Sequence, residues 1–297
     1  MLKKIKGYIS YKLGIAQNKF AIDNLNDRFD FLAAYINLAV PEHIQLDPLL
    51  TVQAIERLKE EYPLEPVNMV IHKNDLMFAF HIYNHKNNLK QAVYSYFKIG
   101  IRTATNLNKI TKRFNINTNA LLDFGSGYGR VSRFFPQVFP NTEITVSEVK
   151  GHSLKFQKEQ FGFNGIEHTQ EAESLGNSTF DLILSLSVFT HLPKTSFEAW
   201  LDKLINTLNP KGGLVFTFNN ITTFKEHAPN PDFHYLTLSE DSSFSFVSDS
   251  LSDTSEYGST YVSHRYLTDF LNNYDVEFTF LKHEYTPHQE SIIVIKQ

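Results

Sequence analysis

Residues Leu121–Phe135 read LLDFGSGYGRVSRFF. A short apolar run ends in an acid, Asp123, and Gly125, Gly127 and Gly129 follow at alternate positions. Such a run is a strand passing into a tight turn, because glycine adopts left-handed backbone without strain and lets a ligand approach the main chain. A phosphate loop would place a lysine and then Ser or Thr behind its last glycine, whereas Arg130 and Val131 stand here. A dinucleotide turn needs G-x-G-x-x-G, but the third glycine comes one position early and Arg130 takes its place. Both ligands are disfavoured by spacing alone.

Working outward from Asn119, β-rich runs alternate with helical ones. The strands expected are Ala120–Phe124, Glu143–Val149, a weak Gly165–Thr169, Phe180–Ser187 and Gly213–Phe218, with helical runs beginning near Tyr128, Gly151 and Lys194. This is the pattern of an open parallel α/β sheet, whose strands all end on one edge where ligands bind. Before it, residues 1–114 read as a helical cap, with helical spacing clearest over Leu49–Tyr62 and Leu89–Phe114 and with prolines 41, 48, 63 and 66 as punctuation. Behind it the alternation breaks. The serine- and acid-rich stretch Asp241–Thr260 reads as an exposed loop or lid within an insertion spanning 219–262. A helix over Ser263–Tyr274 then leads to two final strands, expected as an antiparallel pair.

The chain has 297 residues, 42% apolar and 20% charged, with a formal net charge of −4. That is a globular composition with enough length for a full core, and without the global positive field of a nucleic-acid binder. The absence of cysteine removes disulfides, thiolate metal sites and cysteine nucleophiles. His81 and His85 stand four apart on a helical segment without a third ligand, so no metal is expected. No apolar run approaches the ~18 residues of a membrane span, and the first residues lack a signal-peptide core, so a cytoplasmic protein without membrane insertion is expected. Lys3, Lys4, Lys6 and Lys12 would form one face of a basic amphipathic helix, read as packing on its own domain in preference to a membrane surface.

The pattern Asp123-x-Gly125-x-Gly127-x-Gly129 resembles the first motif of the class I S-adenosylmethionine (SAM)-dependent methyltransferases. Three further stretches fit in order. Glu148 stands nineteen residues after Gly129 at the end of the second strand; a carboxylate there accepts hydrogen bonds from both ribose hydroxyls, each contributing roughly 1.5 to 3 kcal/mol. Glu171–Pro193 is similar to the stretch running through the fourth strand, and Leu208–Phe218 matches the turn before the fifth, with Lys211 as an insertion into the usual L-x-P-G-G. Gly212 and Gly213 would there turn the chain into the strand. The segments LDFGSGYGRVSRFF, SVFTHLP and HQESIIVIK look like a bacterial subgroup associated with glycan or secondary-metabolite pathways. In that subgroup a helix of the form Y-x-x-x-G-x-R precedes the glycine turn, and Tyr96, Gly100 and Arg102 fit it.

The resemblance implies a Rossmann-like seven-stranded sheet, order 3-2-1-4-5-7-6 with the last strand antiparallel, in residues 115–297. It implies SAM as cofactor, held by Asp123, Gly125, Ser126, Gly127, Tyr128 and Gly129 in the turn, by Glu148 at the ribose and by Glu171 and Ala172 at the adenine. Ser187 at the end of the fourth strand and Tyr96 over the methionine end complete the expected site. The function implied is methyl transfer to a small molecule or glycan, O-methylation, with no nucleic-acid partner. Alignment of the reacting atoms does most of the work in such a displacement, and a hydroxyl acceptor also requires a base. His191, in SVFTHLP just beyond the fourth strand, is the base expected. Asn219, Asn220, Tyr257, His264 and His288 stand in segments able to line the acceptor pocket. A methyltransferase-like binding module without turnover and a protein methyltransferase remain open alternatives.

Overall fold

A computed structural model describes residues 43–44, 48–224, 230–237, 258–282, 284–285 and 288–297. The lysine-rich first helix expected from the sequence, residues 238–257 of the expected lid, and Tyr257 lie outside the described residues.

In chain order the elements are β1 (His43–Ile44), α1 (Pro48–Lys59), β2 (Ile71–His72), α2 (Leu76–Asn84), α3 (Leu89–Phe114), β3 (Ala120–Phe124), α4 (Phe135–Val138), β4 (Glu143–Glu148), α5 (Gly151–Phe161) and β5 (Asn164–Glu167). They continue as β6 (Phe180–Ser185), α6 (Lys194–Asn206), β7 (Leu208–Asn220), β8 (Phe233–Thr237), β9 (Gly258–Val262), α7 (His264–Leu271), β10 (Val276–Leu281) and β11 (Glu290–Lys296). The main sheet runs β10-β11-β7-β6-β3-β4-β5. Strands β5, β4, β3, β6 and β7 are mutually parallel, and β11 is antiparallel to both β7 and β10. Numbered from β3, and leaving aside β8 and β9, this is the expected order 3-2-1-4-5-7-6 with its last strand reversed.

Side-chain alternation along each strand divides the core between two faces. Leu121, Leu182, Leu184, Val215 and Ile293 pack with Ala92, Phe97, Ile101, Ala104 and Leu107 of α3. Leu122, Ile183, Leu214, Phe216 and Ile292 meet Trp200, Leu201 and Leu204 of α6 and Leu267 and Leu271 of α7. Central parallel strands covered on both sides must be apolar at nearly every position, as ALLDF and FDLILS are apart from Asp123, Asp181 and Ser185. Helix α3 is closed at both ends by side chain and backbone: Asn88 accepts from Gln91 N, and Asn115 takes the left-handed conformation that ends the helix, φ +53°.

Five expectations are corrected. The helix expected near Tyr128 starts later and is short, a 3-10 turn over Ser132–Phe134 followed by α4. Gly129 at φ +71° keeps residues 125–129 out of the helix. The strand expected to reach Ser187 leaves the sheet after Ser185, because Ser187 is itself left-handed at φ +62°. Strand β7 begins at Leu208, ahead of Gly213: Phe180 pairs with Leu208 and Leu182 with Gly213, so residues 209–212 bulge out between the two pairs. The region before residue 115 includes the short ladder β1–β2, not helices and loops alone. Finally, the segment read as an insertion loop contributes β8 and β9, which pair antiparallel, and β9 continues onto β7 through Asn219–Tyr261 and Asn220–Val262. Gly258, Ser259, Thr260 and Val262 are buried there, so this end of the stretch is sheet, not lid.

Candidate functional site

The glycine turn leaves β3 at the edge where the parallel strands end. Gly125 N and Ser126 N both donate to the Ser147 carbonyl at the end of β4, at 2.9 and 3.1 Å. Gly127 N donates to Glu148 Oε2 at 2.9 Å, while Glu148 Oε1 accepts from Val149 N at 2.9 Å and Lys150 N at 3.4 Å. The turn and the carboxylate expected at the ribose are thus in direct contact. The three glycines serve different ends. A Cβ on Gly125 would lie 2.3 Å from Val188 Cγ2, and one on Gly129 would lie 2.7 Å from the Phe161 ring and 3.0 Å from Gln157 Oε1. A Cβ on Gly127, at φ +59°, would meet nothing within 4 Å. Packing therefore accounts for Gly125 and Gly129, and Gly127 opens onto free space beside Glu148.

Two residues that sequence reasoning did not single out hold this turn. Gln157 of α5 has no exposed surface and donates through Nε2 to Ser126 Oγ and to the Gly127 carbonyl, both at 2.8 Å. Arg133, also buried, donates to the carbonyls of Gly129 (2.9 Å), Tyr128 (3.3 Å), Asn68 (3.1 Å) and Val70 (2.9 Å). Its guanidinium lies 4.7 Å from the Phe161 ring centre. The only sequence signals were a polar residue on the buried face of a helix and an arginine inside the apolar run RVSRFF.

Asp123 is buried under the turn and accepts from Ser132 Oγ at 2.5 Å. Burial pushes its carboxyl up to about 7; the Ser132 hydrogen bond opposes this, the Glu148 charge adds to it, and Arg130 works against it. Tyr128 is buried and stacks on His72 of β2, ring centres 4.7 Å apart. Glu171 is exposed and Ala172 buried at the start of a 3-10 turn, beyond the end of β5. His168 lies between them and β5, its ring stacked on Phe124 at 4.9 Å and its Nδ1–H donating to the Thr169 carbonyl; burial lowers its pKa. Tyr96 is not brought to the open side of the turn. It is fully buried in α3 and donates its hydroxyl to Asp75 Oδ2 at 2.5 Å, the same carboxylate that caps α2. The other two residues of that helical pattern also bind protein: a Cβ on Gly100 would lie 2.2 Å from the Arg130 carbonyl, and Arg102 donates to the Tyr285 carbonyl at 2.9 Å.

Across the strand ends, Ser187 N donates to Thr217 Oγ1 at 2.7 Å and Ser187 Oγ to Gln289 Oε1 at 3.0 Å. His191 donates Nδ1–H to the Gly258 carbonyl at 2.8 Å and receives Gly258 N–H on its own carbonyl at 3.1 Å, so the loop after β6 is zipped to β9. Further along the edge His264 Nε2–H donates to Glu290 Oε2 at 2.6 Å, and Asn220 Nδ2 donates to Glu290 Oε1 at 2.8 Å. Burial raises the Glu290 carboxyl, but the Asn220 and His264 hydrogen bonds outweigh it and hold the group below its ordinary value. Asn219 binds the Thr260 carbonyl at 3.0 Å and His288 is exposed. Among the described residues no helix is long and apolar enough to cross a membrane, and no group of three or more metal-binding side chains is assembled.

Residues 122–214 match the family model described as a methyltransferase domain. No curated protein matches the chain in sequence. Among solved structures, the chain is similar to a candidate O-methyltransferase from Nostoc punctiforme, at 16% identity over 91% of this chain and 72% of that one, TM-score 0.51. It also resembles a SAM-dependent methyltransferase from Clostridium acetobutylicum at 13% identity, over 66% and 91% of the two chains, TM-score 0.49. A third is CalS10, an amino pentose methyltransferase from Micromonospora echinaspora, at 14% identity over 66% and 90%, TM-score 0.47. Residues 122–214 thus match a methyltransferase domain, and they fold with the strand order and the carboxylate-backed glycine turn described above.

Proposed function

We propose that this protein transfers a methyl group from SAM to a hydroxyl group of a small molecule or glycan. The observation that carries the cofactor half is the free space at Gly127 beside Glu148. A residue held at φ +59° with nothing beside it is explained when a ligand fills the volume a side chain would take. Glu148 has one hydrogen bond from the turn and two from its own strand end, which fixes the carboxylate while leaving acceptor capacity for a diol. Ala172 and Glu171 stand beyond the neighbouring strand end, where they would meet the base. The bound group supplies a methyl carbon on a sulfonium centre; the chain's own part is to hold it, exclude water and place the acceptor.

The acceptor half of the reading rests on the strand ends of β6, β7 and β11. Two braced imidazoles stand there, His191 held by Gly258 and His264 by Glu290, and a hydroxyl acceptor requires a base of that kind. His264 has the base-and-orienter arrangement, a carboxylate fixing the tautomer of its ring. Calorimetry with SAM tests the cofactor half: the wild type binds, and Glu148→Ala weakens binding at least about tenfold, the loss of one charged hydrogen bond or more. A folded wild type that does not bind SAM refutes the reading. Labelled SAM incubated with metabolite and glycan fractions tests the other half. Tight binding with no methylated product across them would favour the binding-module alternative, and label on protein alone would favour a protein acceptor.

A further inference from the structure

Arg130, the residue that displaced the third dinucleotide glycine, is a half-buried cation. Among the described residues no carboxylate lies within ion-pair distance of it. The acids around the turn are committed elsewhere. Asp123 is buried beneath Ser132, Asp75 accepts from Tyr96 and from the first turn of α2, and Glu148 faces Gly127. Among the described residues the guanidinium's hydrogen-bond partner is an imidazole: Arg130 Nη1 lies 3.5 Å from His81 Nε2.

That imidazole is arranged to hold a cation without neutralising it. Ser95 Oγ donates to the Ala92 carbonyl at 3.1 Å, so it accepts from His81 Nδ1–H at 2.7 Å, and the lone pair of Nε2 is left facing Arg130. His81 is buried, which with the nearby Arg130 charge pushes its pKa down to about 3 and keeps it neutral. The backbone of Arg130 is fixed as well, since Gly100 of α3 allows its carbonyl an approach that any side chain would block. An arginine held in place by neutral groups, on the last residue of a ligand-binding turn, leaves its charge available to an anion.

We propose that Arg130, positioned by His81 and Ser95 from the helical layer, binds the amino-acid carboxylate of the cofactor. This rests on the cofactor reading above. It gives α2 and α3 a part in recognition that Tyr96, sealed in the interior, does not supply. The test compares SAM with decarboxylated SAM, which keeps the sulfonium, nucleoside and ammonium groups and lacks only the carboxylate. Calorimetry on the wild type is expected to show SAM binding about ten- to a hundredfold more tightly than its decarboxylated analogue, the range of one charge-assisted hydrogen-bonded pair. In Arg130→Gln the two ligands should bind within about twofold of each other, with decarboxylated SAM unchanged from wild type and Arg130→Lys intermediate. His81→Phe, folded as judged by its urea transition, should narrow the gap between the ligands several-fold. If Arg130→Gln weakens both ligands equally, or leaves SAM binding intact, the assignment of Arg130 is overturned while the cofactor reading stands. A wild type that binds neither ligand overturns both.

Discussion

The free space at Gly127 yields a sharp comparison between two glycine substitutions in one turn. Gly125→Ala and Gly127→Ala place a methyl group on residues with nearly the same backbone, φ +72° and +59°. Each incurs the left-handed penalty of an L-residue, roughly 1–2 kcal/mol. At Gly127 nothing further is added, because no heavy atom lies within 4 Å of the new carbon. At Gly125 the methyl group arrives 2.3 Å from Val188 Cγ2, an overlap that costs about 1–3 kcal/mol more unless Val188 moves. Urea denaturation should therefore place Gly125→Ala below Gly127→Ala by about 1–3 kcal/mol, and Val188→Ala in the same chain should recover part of that difference. Cofactor binding should depend on Gly127 in the opposite sense. Gly127→Ala, the more stable variant, should lose most of its affinity for S-adenosylhomocysteine by calorimetry, since its methyl group projects into the ligand's volume. Wild-type affinity in Gly127→Ala would refute the placement of the cofactor against this residue. Equal stability of the two alanine variants would refute the steric account of Gly125.

Other expectations concern the supports of the site. Arg133→Met removes donors from four backbone carbonyls in a buried setting and should destabilise by at least about 3 kcal/mol in urea; a loss under 1 kcal/mol would show that the carbonyls find other partners. Burial pushes the Asp123 carboxyl up to about 7 from its ordinary 3.8, so the folded state binds more protons than the unfolded state between those values. Its contribution is complete below pH 3.8 and is lost as pH rises through 7. Relative to Asp123→Asn, the wild type should lose on the order of 2–4 kcal/mol between pH 4 and 8, and a difference independent of pH would contradict this. Lys211 sits at φ +61° in the bulge before the main run of β7, so Lys211→Gly should raise the urea midpoint, with a gain of up to about 1 kcal/mol. An unchanged or lower midpoint would mean that the lysine side chain offsets its backbone strain.

The sheet was legible in the sequence because parallel strands buried on both faces leave little freedom of composition. ALLDF, FDLILS and GLVFTF carry apolar residues on both faces, and the intervening helices enforce the parallel direction. What was not legible depended on single backbone conformations. Ser187 and Lys211 take left-handed φ although neither is glycine, so no residue type announces the early end of β6 or the bulge in β7. Strand β9 was hidden differently. GSTYV continues a serine-rich polar stretch, and it becomes strand because Asn219 and Asn220 extend β7 far enough to pair with it.

The site divides along the same physical line. That Asp123, the glycines and Glu148 come together was legible because strand ends fix them: a residue at the C-terminal end of a parallel strand is placed by the sheet, and spacing along the chain is then a proxy for position in space. Gln157, Arg133 and His81, the last oriented by Ser95, act on the turn from helical segments, through distances of 2.8–3.5 Å that depend on how those segments pack. No spacing rule reports helix packing. Tyr96 shows the same limit from the other side. Its position in Y-x-x-x-G-x-R placed the helix correctly beside the turn, yet the rotation of α3 that brings Gly100 against the Arg130 carbonyl also carries Tyr96 into the interior, onto Asp75. The helical pattern therefore marks a contact between layers, and the group it delivers to the ligand side is the guanidinium of Arg130, held there by a histidine that the sequence offered only as half of an incomplete metal pair.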